Sequence, residues 1–120
     1  MATLTTKLSI AGTGLTSNQL AINISDLLSV TTPHVGLSKE SVATGSETVL
    51  VASSVSAARY VFVRNTDTVN YIVLKNDAGN IWGRLNAGEC ILYCVPPSTG
   101  FELQANTGAC VIEYGYWTKL

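Results

Sequence analysis

The stretch that decides the fold is YVFVRNTDTVNYIVLKNDAGNIWGRLNAGECILYCVPPSTGFELQAN, residues 60–106. Apolar runs of five or six residues alternate there with clusters of Asn, Asp, Gly and Pro. Short apolar runs separated by turn signals, without a helical period, are typical of antiparallel all-β proteins. We therefore predict an all-β fold, an antiparallel β-sandwich of jelly-roll or Greek-key type.

Working outward from this stretch, the second half of the chain contains seven predicted strands with turn signals between them. In the segment NDAGN, Gly79 is able to adopt the positive φ that closes a short hairpin. The order of the strands in the sheets does not follow from these patterns. The predicted strands are residues 48–52, 59–65, 71–75, 81–85, 90–95, 101–105 and 110–117.

The first part of the chain alternates apolar and polar residues, which indicates half-buried strands. A loop over residues 11–19 separates the two alternating runs. Residues 26–32 are expected either to continue as a short strand or to form one turn of helix, with Pro33 interrupting them. Residues 34–47 are predicted to be a connector that holds a weak strand. The alternating apolar residues are Leu4, Leu8, Ile10, Leu20, Ile22 and Ile24.

Length and composition predict one domain over residues 1–120, with residues 1–14 as either an extended N-terminal arm or an edge strand. Hydrophobic residues make up 47% and charged residues 12%, so the surface suits coverage by neighbouring subunits. The net charge is −1 and no basic stripe is present, which argues against a nucleic-acid partner. The sequence has no apolar run of roughly 20 residues and no secretion signal. We therefore expect that the protein has no membrane partner and is synthesised in the cytoplasm.

The three cysteines are predicted to be free, buried thiols that act as small hydrophobic side chains. Cys90 and Cys94 are four residues apart in one strand, hence on the same side and about 13 Å apart, too far for a disulfide. Cys110 lies on another predicted strand, within reach of either. A zinc site would need a fourth ligand, and the single histidine, His34, is distant in the sequence.

No arrangement of residues in the sequence points to catalysis. His34 lies in the weakly structured connector, and no G-x-S-x-G nucleophile motif is present. Asp67 and Asp77 fall in predicted turns, where Asp commonly binds backbone N–H groups. We therefore predict no enzyme activity, no catalytic residues, no cofactor and no metal. Trp82, Tyr93 and Trp117 leave open a carbohydrate-binding function through stacking on sugar rings.

Several strands of the second half are apolar on both faces, and one face of each must line the core. The other face needs a second cover, which the N-terminal strands or another subunit would supply. An ordinary sandwich with a few exposed aromatic residues is the alternative. We predict a homo-oligomer or a complex with another protein, with a partner interface that includes Leu4, Leu8, Ile10, Tyr93, Tyr116 and Trp117.

Residues 58–120 resemble the C-terminal half of small structural virion proteins of tailed bacteriophages. The shared patterns are VRNTD at residues 63–67, NYI at 70–72, LNAGE at 85–89 and ANTGACVIEY at 105–114. The opening MATLTTKLSIAGTGLTSNQLAINISD is similar to the N-termini of such proteins. These are turn-and-strand patterns rather than signatures of a reactive site.

The resemblance implies a structural protein of the virion. For a β-sandwich of this size it implies most specifically a capsid decoration (cement) protein, whose partner is the major capsid protein or another virion protein. A carbohydrate- or receptor-binding domain of a tail fibre, spike or head fibre is the alternative. Either function requires complementary surfaces and no catalytic group.

Overall fold

A computed structural model of the protein describes residues 2–14 and 20–120. Within those ranges the chain forms nine strands and no helix, so the all-β prediction is confirmed. The described residues thus contain no helix long and apolar enough to cross a membrane. The strands are β1 (Ala2–Gly12), β2 (Leu20–Val42), β3 (Thr48–Val51), β4 (Arg59–Asn65), β5 (Ile72–Lys75), β6 (Ile81–Leu85), β7 (Cys90–Val95), β8 (Phe101–Ala105) and β9 (Cys110–Lys119).

The strands form two antiparallel sheets, one of which is strongly curled into a half-barrel. The five-stranded sheet has the order β1-β2-β9-β4-β7, and the four-stranded sheet has the order β3-β8-β5-β6. Strands distant in sequence are therefore neighbours, as β2 and β9 show. The jelly-roll or Greek-key sandwich stays a prediction.

The strand bounds in the second half follow the turn residues closely. Four predicted strands, 59–65, 81–85, 90–95 and 101–105, have the predicted bounds, and the other three differ by one or two residues at an end. Gly79 has a φ of 81°, as predicted, and its N–H donates to the carbonyl of Asn76 at 3.0 Å. A left-handed residue is what this hairpin turn requires, and Gly adopts it without strain.

The first half differs from the prediction, because β2 is one strand from Leu20 to Val42. Of the two alternatives for residues 26–32, the strand is correct and the helical turn is wrong. The interruption at Pro33 is wrong, and the weak strand predicted within residues 34–47 is the continuation of β2 to Val42. At residue 33 the contact with β9 is made by a side chain: Thr118 Oγ1 donates to the carbonyl of Pro33 at 2.7 Å. This bond needs no N–H from residue 33, the group that proline lacks.

The chain divides into two compact units. The first comprises Met1–Thr31 with Leu120, and the second comprises Thr32–Lys119. Of the loop predicted over residues 11–19, residues 15–19 lie outside the described residues. The single domain predicted over residues 1–120 stays a prediction.

The core of the second unit is made of alternate residues of its strands. In β4, Val61 and Val63 are fully buried, and in β8, Phe101 and Leu103 are fully buried. Burying each such side chain stabilises the fold by about 1.5–3 kcal/mol. The core cluster is Val42, Leu50, Val51, Val61, Val63, Ile72, Leu74, Leu85, Val95, Phe101, Leu103, Ala105, Cys110 and Ile112.

One polar side chain, Asn65, is fully buried beside this core. Its amide Nδ2 donates to the carbonyls of Asn70 at 2.9 Å and Leu85 at 3.1 Å. Its Oδ1 accepts from the backbone N–H of Asp67 at 3.0 Å. A buried amide with three partners fixes the loop after β4 to the end of β6. Replacing it would leave those backbone groups unpaired, which is more costly than the bonds themselves.

We expect Asn65→Ala to lower the free energy of unfolding by about 2–4 kcal/mol, because buried backbone groups lose their partners. Urea denaturation followed by circular dichroism measures this. Asn106→Ala, at an exposed position, is the control and should change the value by less than about 0.5 kcal/mol. Equal effects of the two substitutions would show that the Asn65 bonds contribute nothing.

Candidate interaction surface

In the first unit, β1 and residues 20–30 of β2 form a two-stranded antiparallel ribbon. Its register pairs Ala2 with Val30 at one end and Gly12 with Leu20 at the other, without a shift. Directly opposite residues of antiparallel strands have their side chains on the same face. Even-numbered residues of both strands therefore share one face of the ribbon, and odd-numbered residues share the other.

The even-numbered face carries the apolar residues, and we call it the apolar ribbon face. Four of its side chains remain well exposed, Leu8 at 52%, Ile10 at 42%, Ile22 at 37% and Ile24 at 55%. Leu8 lies opposite Ile24 and Ile10 lies opposite Ile22. Eight larger apolar residues define this face: Leu4, Leu8, Ile10, Leu20, Ile22, Ile24, Leu28 and Val30.

The opposite face of the ribbon is mainly polar. Ser9 lies directly opposite Asn23, and its Oγ donates to Asn23 Oδ1 at 3.0 Å. Thr3, Thr5 and Lys7 share this face. The ribbon is therefore amphipathic. Solvent satisfies the polar face, whereas the apolar ribbon face gains free energy from being covered.

Three of the predicted interface residues, Leu4, Leu8 and Ile10, are brought together on the apolar ribbon face. The prediction missed the β2 contribution to that surface, although the alternation over residues 20–25 was recognised. The missing information was the register, because alternation alone does not say which residues of two strands face each other. The role of these residues in an interface stays a prediction.

The apolar ribbon face has one polar interruption, where Thr6 lies opposite Asp26. Asp26 is exposed, and its Oδ1 accepts the backbone N–H of Leu27 at 2.8 Å. Covering a carboxylate without a hydrogen-bond donor or a cation is costly. Val30 is already buried at one end of the face, so a covering surface must be apolar over Leu8, Ile10, Ile22 and Ile24 and must provide a donor, a cation or water beside Asp26.

The other three predicted interface residues lie in the second unit, where Tyr93 and Tyr116 are opposite Val61 on the core face and Trp117 is on the other face. Tyr93 and Tyr116 are partly buried against the core, and the Arg59 guanidinium lies 4.8 Å from the centre of the Tyr116 ring. Trp117 lies over Gly115, where an added Cβ would come within 3.0 Å of the indole ring. These contacts within the unit account for all three aromatic side chains.

Trp82, one of the predicted sugar-stacking residues, packs against Tyr93 and Phe101, with ring centres 5.1 and 5.5 Å apart. The register of β5 and β6 shifts between Leu74 and Lys75, so Trp82 is an extra residue in β6. Such a bulge re-aims a side chain. The Trp82 ring is tilted by 44° from the Tyr93 ring and by 49° from the Phe101 ring, so the three rings do not form one flat platform.

All three cysteines are free, but only Cys110 is buried. The prediction that Cys90 and Cys94 are buried is wrong. In β7 the odd-numbered residues Ile91 and Tyr93 pack against the core, so the even-numbered residues face outward. The prediction that Cys90 and Cys94 lie on the same side of the strand is confirmed. Burial raises the pKa of the Cys110 thiol and keeps it protonated.

Asp67 and Glu102 have pKa values that are shifted in opposite directions. The side chain of Asp67 accepts the backbone N–H groups of Asn70 and Val69, and these bonds lower the pKa of Asp67. Partial burial raises the pKa of Glu102, and the negative charges of Asp77 and Glu47 raise it further. The positive charge of Lys75 lowers this pKa but does not cancel the rise. Among the described residues, no group of three His, Cys, Asp or Glu side chains is arranged to hold a metal ion.

No protein-family model matches the chain, and a comparison with curated proteins gives no match. Its function is therefore argued from its own surfaces. The most distinctive of these is the apolar ribbon face.

We expect Glu102→Gln to stabilise the protein at pH 7. Because the pKa of Glu102 is raised above 4.5 in the folded state, the native protein loses stability as the pH rises from about 4.5 through that pKa. The neutral amide avoids this loss, so the difference between variant and wild type should shrink toward pH 4. Thermal unfolding between pH 4 and pH 8 measures it.

Asp67→Asn should have the opposite sign. The pKa of Asp67 is lowered in the folded state, so its ionised form stabilises the protein above about pH 3.8. The variant should be less stable at neutral pH and approach the wild type as the pH falls below that value. If both variants shift in the same direction with pH, the assignment of these two carboxylates is wrong.

Proposed function

We propose that the protein is a structural component of a tailed-phage virion and acts as a capsid decoration (cement) protein through protein–protein contacts. The observation that carries the proposal is the apolar ribbon face, an amphipathic surface with four well-exposed Leu and Ile side chains. Such a surface favours a protein that works by being covered. The assignment to a virion rests on the resemblance at residues 63–67, 70–72, 85–89 and 105–114.

The ribbon offers a partner two kinds of contact. Its apolar face supplies hydrophobic burial, worth about 1.5–3 kcal/mol for each Leu or Ile side chain that becomes fully covered. β1 is also the terminal strand of its sheet, so its outer edge is available to a strand of a neighbour. Together these contacts suit attachment to the major capsid protein, with many identical copies on one particle.

We further propose that strands β2 to β9 form a jelly roll. Eight strands in two sheets, each mixing early and late strands of the chain, are what two Greek keys produce. The orders β2-β9-β4-β7 and β3-β8-β5-β6 support this description. In such a fold the part of β2 from residue 32 onward and strands β3 to β9 belong to the second unit, and β1 with residues 20–31 of β2 is additional to them.

The partners in this proposal are proteins, namely further copies of the chain and the major capsid protein. A low charged fraction and a net charge of −1 favour close packing of many copies and give nucleic acid little to bind. The virion is the proposed location, reached after synthesis in the host cytoplasm.

Electron cryomicroscopy of phage particles that contain the chain tests the proposed position. We expect density for many symmetric copies on the outer capsid surface. Density at the tail or fibres, accompanied by binding on a glycan array, would instead support the carbohydrate-binding alternative. Absence from purified particles would contradict both.

We expect Leu8→Thr/Ile24→Thr to weaken binding to capsids that lack the protein. Two opposite side chains on the apolar ribbon face lose most of their hydrophobic gain, about 3 kcal/mol, or roughly a hundredfold in Kd. Co-sedimentation with such capsids measures it. Ser9→Thr/Asn23→Thr, the opposite pair on the polar face, is the matched control and should bind normally. Equal binding by the two double variants would contradict the proposed role of this face.

Deleting residues 2–10 should leave the second unit folded but abolish particle binding or any oligomerisation that the ribbon mediates. The described β1 strand pairs with β2 at the end of its sheet, and none of its residues belongs to the core cluster. Circular dichroism and light scattering distinguish folding from assembly. If the truncated protein unfolds, the strand belongs to the stable fold and the arm proposal is wrong.

A further inference from the structure

The outer edge of β7 is exposed and carries none of the features that normally protect an edge strand. β7 is the last strand of the five-stranded sheet, and its pairing with β4 has no bulge. Its sequence, CILYCV, contains neither Lys nor Pro. By contrast, β3 and β6, the terminal strands of the other sheet, each have a register shift in their pairing. Exposed edges without bulges, Lys or Pro readily pair with another strand.

The hydrogen bond just before β7 shows which of its residues point their main-chain groups toward β4 and which point them toward the free edge. The N–H of Asn65 donates to the carbonyl of Glu89 at 2.9 Å, so this carbonyl points toward β4, and Asn65 is opposite Glu89 in the register that pairs Arg64 with Cys90. Main-chain groups alternate sides along a strand. Residues 91, 93 and 95 therefore bond to β4, and the N–H and C=O groups of Cys90, Leu92 and Cys94 point to the free edge.

The side chains at this edge have a symmetric pattern. Cys90 and Cys94 lie two residues on either side of Leu92, and all three are exposed, Leu92 at 43%. When two such strands pair antiparallel around Leu92, each Leu92 meets its counterpart and each Cys90 meets Cys94 of the other copy. The free N–H and C=O groups of one edge then meet those of the other.

We propose that the β7 edge is a two-fold interface between two copies of this chain, with Leu92 on the two-fold axis. The occupant is a second copy because the edge is complementary to itself in both hydrogen bonds and side chains. The interface is separate from the apolar ribbon face, and the proposal does not depend on a virion function.

Disulfide formation between Cys90 and Cys94 of two copies measures the register of the proposed β7 pair. Opposite residues in this arrangement have Cα atoms about 5.5 Å apart, which suits a disulfide. With oxidised glutathione as the oxidant, Cys90 displaces one glutathione thiolate and forms a mixed disulfide. Cys94 of the second copy then displaces the other. Two protein thiols become one disulfide, and one glutathione disulfide is reduced to two thiols.

The test is a complementation of single variants, followed on non-reducing gels. Cys90→Ser alone and Cys94→Ser alone should give little dimer, because each remaining thiol faces a serine and lies about 13 Å from its counterpart. An equimolar mixture of the two variants should restore the disulfide-linked dimer, in at least tenfold greater amount than either variant gives alone. The thiols in the mixed pair are aligned and react at a high effective concentration. The double variant, which retains buried Cys110, should give none.

Leu92→Lys provides an independent check with both thiols present. Its N–H does not bond to β4 and its side chain is exposed, so the fold should persist, whereas two lysines would meet at the axis. We expect several-fold less dimer from a variant whose urea midpoint is unchanged. Equal cross-linking by single variants and mixture, or undiminished cross-linking by folded Leu92→Lys, would overturn the proposal.

Discussion

A two-stranded ribbon has two faces and no second layer of its own to cover either of them. In β1 and β2, strict alternation places eight large apolar residues on one face and mainly polar residues on the other. Isolated two-stranded hairpins are at best marginally stable in water. This constraint links the sequence to the proposed function, because whatever covers the apolar ribbon face also stabilises the ribbon.

The second unit meets the same requirement internally. Its buried residues form one cluster drawn from both sheets, and Asn65 ties the loop after β4 to β6 from within a buried position. Its stability therefore comes from its own packing. The two units differ in how they bury apolar residues: the second buries a cluster of its own, whereas the first leaves four Leu and Ile side chains of the apolar ribbon face exposed.

The sequence predicts local features of this protein well and non-local features poorly. The bounds of β4, β6, β7 and β8 were predictable because Asn, Gly and Pro clusters mark their ends. β2 was not, because proline normally interrupts a strand, and the hydrogen bond from Thr118 to the Pro33 carbonyl joins residues that are 85 positions apart. Likewise, the exposure of Cys90 and Cys94 depends on which face of β7 meets the core.

The candidate interaction surface likewise combines local features that the sequence predicts with non-local features that it does not. Alternation identified Leu4, Leu8 and Ile10, but the other half of the apolar ribbon face required the register with β2. The aromatic residues Tyr93, Tyr116 and Trp117 were predicted at an interface because aromatic side chains are common there. Their contacts with Phe101, Arg59 and Gly115 depend on strand order and bulges, which sequence patterns do not encode.

Hydrogen–deuterium exchange of the free protein and of the same protein bound to its particle tests the central claim most directly. The account predicts that amides of residues 2–12 and 20–30 exchange quickly in the free protein and at least about tenfold more slowly after assembly. Amides of β4 and β8 should be protected in both states. Equal exchange of the ribbon amides in the two states would show that assembly does not cover the ribbon.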